Sequence, residues 1–376
     1  MPMDFVIIVL TWISQEVYEP LFEEIVKLCP NKIRGIWIAD CANQGLSGVV
    51  NEDLLGDDSL FFFEWRNMAS WFDHSRNLLG MVNHFRERMI PPIFGIGHSM
   101  GCAQLVRLSI LHPSLFYGMA LVEPVKQKAF PPGPNPALFS NFRRDIWPSK
   151  EKFEASMIKN LFFGSLDARA MKKYLEFGVR PVPTNFYPVT GTARIPEGAV
   201  TLTTTKHQEA WSYVRANIFP LSPSPDDPRE RLITPELDPT DEGKLISTRP
   251  ESMLALLDLP QLRPRVLPIN SEYLQEEKRR LIGSGRGGSG GVNLKRVEEC
   301  VIENYGHLVP LEKVSECAGI IAEWLEKEAR RFLQDEGVFR THSRQVSTEN
   351  GLAVSKEWVK MVQMETDSSR PLKGKL

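Results

Sequence analysis

Apolar runs alternate with amphipathic stretches along the first third of the chain. Phe5-Val-Ile-Ile-Val9 is apolar and largely β-branched with no alternation, as a parallel strand covered on both faces requires. Over residues 17–29, Leu21, Ile25 and Leu28 recur at helical spacing, and Pro30 ends the pattern. Residues 36–39 read as a second buried strand and residues 43–58 as a polar, glycine-containing loop. Residues 73–85 put Leu78, Met81, Val82 and Phe85 on one helical face. Pro91-Pro92 breaks the chain before a third strand at 93–96. A helix over 103–111 is stopped by Pro113, and a fourth strand spans 117–122. Alternation of this kind predicts an α/β fold, a parallel sheet flanked by helices.

The order lapses over residues 126–262, where proline clusters and helical pieces (150–161 and 167–177) precede a Pro-rich segment at 220–250. The sheet resumes at 265–269. A glycine-rich loop at 283–291 leads to a last strand at 296–302. Val314, Cys317, Ala318, Ile321, Leu325 and Phe332 then form the apolar face of a helix over 314–332. The expected organisation is a core from 1–125 and 263–334, a cap inserted at 126–262, and a polar, mobile tail at 335–376. No internal repeat is visible.

At 376 residues, with 42% hydrophobic and 24% charged positions, the chain has the make-up of a folded protein, which excludes wholly disordered or fibrous classes. A net charge of −2 without a basic run argues against a nucleic-acid partner. Cys29, Cys41, Cys102, Cys300 and Cys317 are scattered and odd in number, which points to neither a disulfide framework nor a zinc site. No apolar run reaches the roughly 18 residues of a membrane span. The run at 5–12 is short and follows no basic segment, so it reads as a strand rather than a signal peptide.

The chemistry concentrates at Gly97-His98-Ser99-Met100-Gly101, a G-x-S-x-G segment. The motif matters because a buried strand precedes it and a helix follows, the setting of a nucleophile elbow. The tight turn needs small flanking residues and lifts the Ser99 hydroxyl above the strand ends. The Met100 N–H, at the positive end of the helix, is a donor for a tetrahedral oxyanion. Serine needs a base. His98 lies inside the elbow and reads as packing; His74, His84 and His112 belong to helices, His207 to the cap and His342 to the tail. His307 alone follows the last strand directly before the final helix, where such folds keep catalytic groups. Two carboxylates could orient it: Glu123, ending the fourth strand, is favoured, and Glu272, after the next strand, is the alternative acid.

On these residues the chain resembles an α/β-hydrolase. With Asn51-Glu52-Asp53-Leu54-Leu55-Gly56, Trp71-Phe72-Asp73-His74, Leu121 to Val125, and Gly306 to Lys313 added, it is similar to the fungal peroxisomal lipase and host-toxin-biosynthesis hydrolase branch. The likeness covers about residues 5–332. That branch carries two further strands before the one at Phe5. Its His-Ala-Asn-Gly-Phe oxyanion segment is Val9-Leu10-Thr11-Trp12-Ile13 here, where a backbone N–H near Leu10 or Thr11 can still serve. Residues 60–69 resemble an insertion.

The resemblance implies a serine hydrolase that cleaves an ester or thioester of an apolar acyl substrate through an acyl-enzyme, in secondary-metabolite (toxin) biosynthesis or peroxisomal lipid metabolism. No metal or organic cofactor is implied. Phe130, Phe139, Phe142, Trp147, Phe162 and Phe163 are candidates to cover the acyl site, although each alone could simply pack the cap. Two alternatives stay open: a biosynthetic acyltransferase or cyclase using the same acyl-enzyme, and a non-catalytic hydrolase-fold binding protein. Gly374-Lys375-Leu376 matches the peroxisomal Ser-Lys-Leu address at two of its three positions, so the import receptor is an expected partner and the peroxisome the expected location, with the cytoplasm as alternative.

Overall fold

A six-stranded parallel sheet positions the site. The computed structural model describes residues 4–11, 14–29, 32–55, 70–124, 136–188, 195–216, 247–272, 274–345 and 353–366. Phe130 and Gly374-Lys375-Leu376 lie outside the described residues. The chain divides into two compact units, Met1–Glu326 and Lys327–Leu376.

In chain order the first unit begins with β1 (Phe5–Leu10), a 3-10 turn (Gln15–Tyr18), α1 (Glu19–Leu28), β2 (Ile33–Ile38), α2 (Gly45–Val50), α3 (Trp71–His84), β3 (Ile93–His98), α4 (Met100–Leu111) and β4 (Gly118–Val122). Next come α5 (Pro136–Phe142), β5 (Ile146–Trp147), α6 (Lys150–Ile158), α7 (Leu161–Gly164), α8 (Ala168–Phe177), β6 (Val179–Pro181), β7 (Val200–Leu202), α9 (Lys206–Tyr213) and β8 (Arg215–Ala216). β9 (Ser247–Thr248), a helix at Pro250–Asp258, β10 (Arg265–Asn270), a helix at Glu276–Leu281, β11 (Cys300–Val301), a short helix at Val309–Glu312 and the start of a long helix at Val314–Gln345 follow.

The sheet order is β11-β10-β4-β3-β1-β2, which leaves β2 at one edge. Every residue of β1 is buried, matching its unbroken apolar sequence. Val6, Ile8 and Leu10 enter the core built with Leu78 of α3, Leu105 and Leu108 of α4, and Ala255 and Leu256 of Pro250–Asp258. Phe94 of β3 meets Phe5 at 5.2 Å and Trp324 of the long helix at 6.1 Å.

The structure differs from the sequence pattern in four places. Part of the expected polar loop at 43–58 is helical: the Asp40 carboxylate accepts the Leu46 N–H and so caps α2. The expected last strand at 296–302 pairs with β10 only at Val297 and at Cys300–Val301, while the Glu299 side chain turns aside to accept the Leu274 N–H. Within the stretch expected as cap and linker, the helix at Pro250–Asp258 contributes Ala255 and Leu256 to the main core. The stretch after 334 is helical at 335–345 and at Lys356–Thr366, rather than irregular throughout.

The segment expected as cap has a small cluster of its own. β5, β7 and β6 form an antiparallel sheet, and Trp147 of β5 meets Phe153 edge-on at 4.9 Å, which in turn lies tilted against Tyr174 at 6.0 Å. Arg180 of β6 pairs with Glu52 at 2.5 Å, and Asn51 donates to the Ala42 carbonyl. The Asn51-Glu52 segment thus joins β6 to the loop that follows β2.

Candidate active site

The strands place Ser99 and Glu123 side by side. β3 and β4 are parallel, with His98 in register with Val122. Just past their C-terminal ends the Ser99 N–H donates to the Val122 carbonyl, and the Glu123 N–H donates to that of Ile269, both at 2.9 Å. Both residues have positive φ, 55° at Ser99 and 45° at Glu123. Such non-glycine conformations cost on the order of 1–3 kcal/mol each and persist where the surroundings enforce them.

The elbow depends on its glycines. A Cβ on Gly97 would lie 2.9 Å from Cys102 Cα, and one on Gly101 would strike the Leu10 carbonyl. The same close approach sets the Leu10–Thr11 peptide against the start of α4. Met100 is the first residue of that helix, where backbone N–H groups have no partner within the helix. Met100, Leu10 and Thr11 are all buried.

His307 sits in the loop after β11, its side chain 47% exposed. Its Nε2 lies 2.6 Å from Ser99 Oγ, and its Nδ1 lies 3.7 Å from Glu123 Oε2, an ion-pair separation rather than a hydrogen bond. Glu123 Oε1 accepts the Ser271 N–H. Burial pushes the Glu123 carboxyl up, but His307 and Ser271 outweigh it and hold the group below its ordinary range. Glu272 is exposed. Ser99, His307 and Glu123 are therefore brought together, and Glu272 is not joined to them by any contact.

The remaining histidines are placed as follows. His74 is buried and held down to about 4 by that burial, His84 stands edge-on to Phe85, and His207 packs on Phe186 at 4.8 Å. Of the cap aromatics, Trp147 is spent on the cap's own core and Phe163 stacks on Tyr174 at 4.5 Å. Phe139, Phe142 and Phe162 are exposed.

Two arrangements were not legible in the sequence. His98 is a buried member of a hydrogen-bonded line, with Tyr18 on one side and the His307 main chain on the other. Arg249 and Glu251 form a buried ion pair at 3.2 Å, and Glu251 also accepts from the Ser70 hydroxyl and the Trp71 N–H at the start of α3. Both link residues distant in the chain. Only the elbow histidine had a local signal, and a G-x-S-x-G pattern places no demand on that position.

No family model matches the chain. The type I acyl-CoA thioesterase mpaH of Penicillium brevicompactum is 33% identical, over 93% of this chain and 82% of that protein. The abhydrolase domain-containing protein AKT2 of Alternaria alternata is 25% identical, over 64% of this chain and 85% of that protein. Among solved structures, the peroxisomal α/β-hydrolase Lpx1 of Saccharomyces cerevisiae superposes with a TM-score of 0.58 at 16% identity, covering 92% of this chain and 87% of that one. With that sheet and elbow, and with the 33% alignment over nearly the whole chain, the chain belongs to the α/β-hydrolase family that includes these fungal proteins.

Proposed function

We propose that this α/β-hydrolase is a serine thioesterase acting on an apolar acyl thioester, with Ser99 as nucleophile, His307 as base and Glu123 as the acid that orients it. The observation that carries it is the 2.6 Å contact between His307 Nε2 and Ser99 Oγ, with the serine held at positive φ on the elbow. A thioester is favoured over an oxygen ester by the 33% likeness to a protein named as an acyl-CoA thioesterase.

On this reading the reaction runs in two halves. The Ser99 hydroxyl gives its proton to His307 Nε2 as its oxygen bonds to the thioester carbonyl carbon. The oxyanion is met by the Met100 N–H and a donor from the Leu10–Thr11 loop. As the C–S bond breaks, His307 returns the proton to the departing sulfur. Water, deprotonated by His307, then attacks the acyl-Ser99 carbonyl; the acid leaves and Ser99 regains its proton. Glu123 stabilises the imidazolium formed in each half. The cap segment covers the acyl chain.

A fluorophosphonate should label the purified protein, and the protein should release free thiol from medium- or long-chain acyl-CoA. Ser99→Ala should abolish both; undiminished thiol release by Ser99→Ala would remove the proposal. Peroxisomal residence is the companion inference, supported by the likeness of Gly374-Lys375-Leu376 to the import address. A fluorescent protein ending in residues 365–376 should colocalise with a peroxisomal matrix marker in fungal cells, and a diffuse signal would contradict it. Among the described residues no helix is long and apolar enough to cross a membrane.

A further inference from the structure

A line of hydrogen bonds runs under the candidate site and reaches the main chain of the base. Tyr18 ends the 3-10 turn Gln15–Tyr18, and His98 is the last residue of β3; they are 1% and 3% exposed. The Tyr18 hydroxyl lies 2.6 Å from His98 Nδ1, and His98 Nε2 lies 2.7 Å from the His307 carbonyl oxygen. The three residues come from separate parts of the chain and meet only through the fold.

The proton positions follow from elementary chemistry. A carbonyl oxygen only accepts, so His98 Nε2 carries a hydrogen and donates. Burial, with His307 nearby, pushes the His98 imidazole down to about 3, so the ring is neutral and bears a single proton. Nδ1 is therefore a lone pair, and the Tyr18 hydroxyl donates to it. Tyr18 thereby selects the tautomer that can hold the His307 carbonyl. Without that donor, the opposite tautomer would turn a lone pair toward the carbonyl oxygen.

We propose that His98, its tautomer set by Tyr18, is a positioning residue that anchors the His307 main chain and so keeps the imidazole on Ser99. This rests on Ser99 and His307 acting as nucleophile and base. His307 needs such an anchor. Its side chain is 47% exposed, its loop passes through Asn304 at a φ of 66°, and Glu123 stands 3.7 Å from its Nδ1. The His98 and His307 rings lie 5.3 Å apart at 37°, so His98 also supports the imidazole from beneath. A shift of about 1 Å in a reacting group can cost on the order of a hundredfold in rate.

The test measures fluorophosphonate labelling of the full chain over a range of probe concentrations, which separates the maximal labelling rate from half-saturation without needing the natural substrate. Ser99→Ala is the reference. His98→Leu keeps bulk but removes the donor and should lower the maximal rate about tenfold or more with half-saturation little changed. His98→Gln can offer an amide N–H to the same carbonyl and should recover most of the loss. Tyr18→Phe removes one oxygen and should slow labelling several-fold at an unchanged melting temperature. Wild-type rates in folded His98→Leu, or equal losses in His98→Leu and His98→Gln, would overturn the inference. If His98→Leu fails to fold, a wild-type maximal rate in Tyr18→Phe overturns it alone. Labelling of Ser99→Ala at the wild-type rate would instead remove the serine nucleophile, a distinct outcome.

Discussion

Ser99 and Glu123 owe their conformations to being the residues at which two neighbouring parallel strands stop. Each keeps one backbone bond to the next strand while its φ turns positive, so the two side chains leave the same edge of the sheet. On the proposed reading this favours Glu123 of the two candidate acids. Glu123 Oε2 stands 3.7 Å from His307 Nδ1, whereas Glu272 is exposed. Changing the acid to its amide selects the wrong imidazole tautomer, which on an analogous triad costs about 10⁴ in turnover. Glu123→Gln should therefore lose several kcal/mol of transition-state stabilisation, and Glu272→Gln roughly one or less, in steady-state thiol release by variants shown to be folded. The opposite ranking would transfer the role to Glu272. Sequence order placed both carboxylates after strands but could not say which one faced the base, because a side chain's direction at a strand end depends on the local turn.

At the scale of elements, the strand–turn–helix around Ser99 is the most sequence-determined part of the molecule. Gly97 and Gly101 are required because Cys102 and the Leu10 carbonyl occupy the space a Cβ would take. The N-terminus of α3 was equally legible in outline but not in mechanism. Ser70 and Asp73 form a capping box, and buried Glu251, from a helix far along the chain, adds its carboxylate to the Ser70 hydroxyl and the Trp71 N–H. Arg249 balances that charge at 3.2 Å, and both side chains are almost fully buried. Removing one partner of such a pair leaves an uncompensated buried charge, at a cost of about 3–5 kcal/mol. The Pro250–Asp258 helix is thus bound to the main core by charge and by packing.

For the molecule as a whole, buried histidines set the response to acid. Burial holds His74 and His98 near 4 and 3, below the ordinary histidine value, so between that value and the folded one the unfolded chain binds more protons. Stability is then lost as pH falls below about 6.5, by up to about 1.4 kcal/mol per pH unit for each histidine. Asp40 has the opposite sign: burial pushes it up to about 6, so its contribution is largest in acid and is lost as pH rises through that value. Burial also raises Asp258 and lowers His207, so three histidines oppose two carboxyls, and the urea midpoint should fall as pH drops from 6.5 to 4.5; a constant or rising midpoint would show that the histidines are not held neutral. What the sequence determined by itself was local or periodic: the buried strands, the helix faces, the elbow glycines, Ser99, and His307 after the last strand, because these follow from side-chain period and turn sterics within a few residues. The tertiary structure alone decided which carboxylate stands near His307, that Arg180 pairs with Glu52, and that Tyr18 and His98 reach the His307 main chain. Those contacts join residues scores to hundreds of positions apart, and no local pattern carries the direction in which their side chains meet.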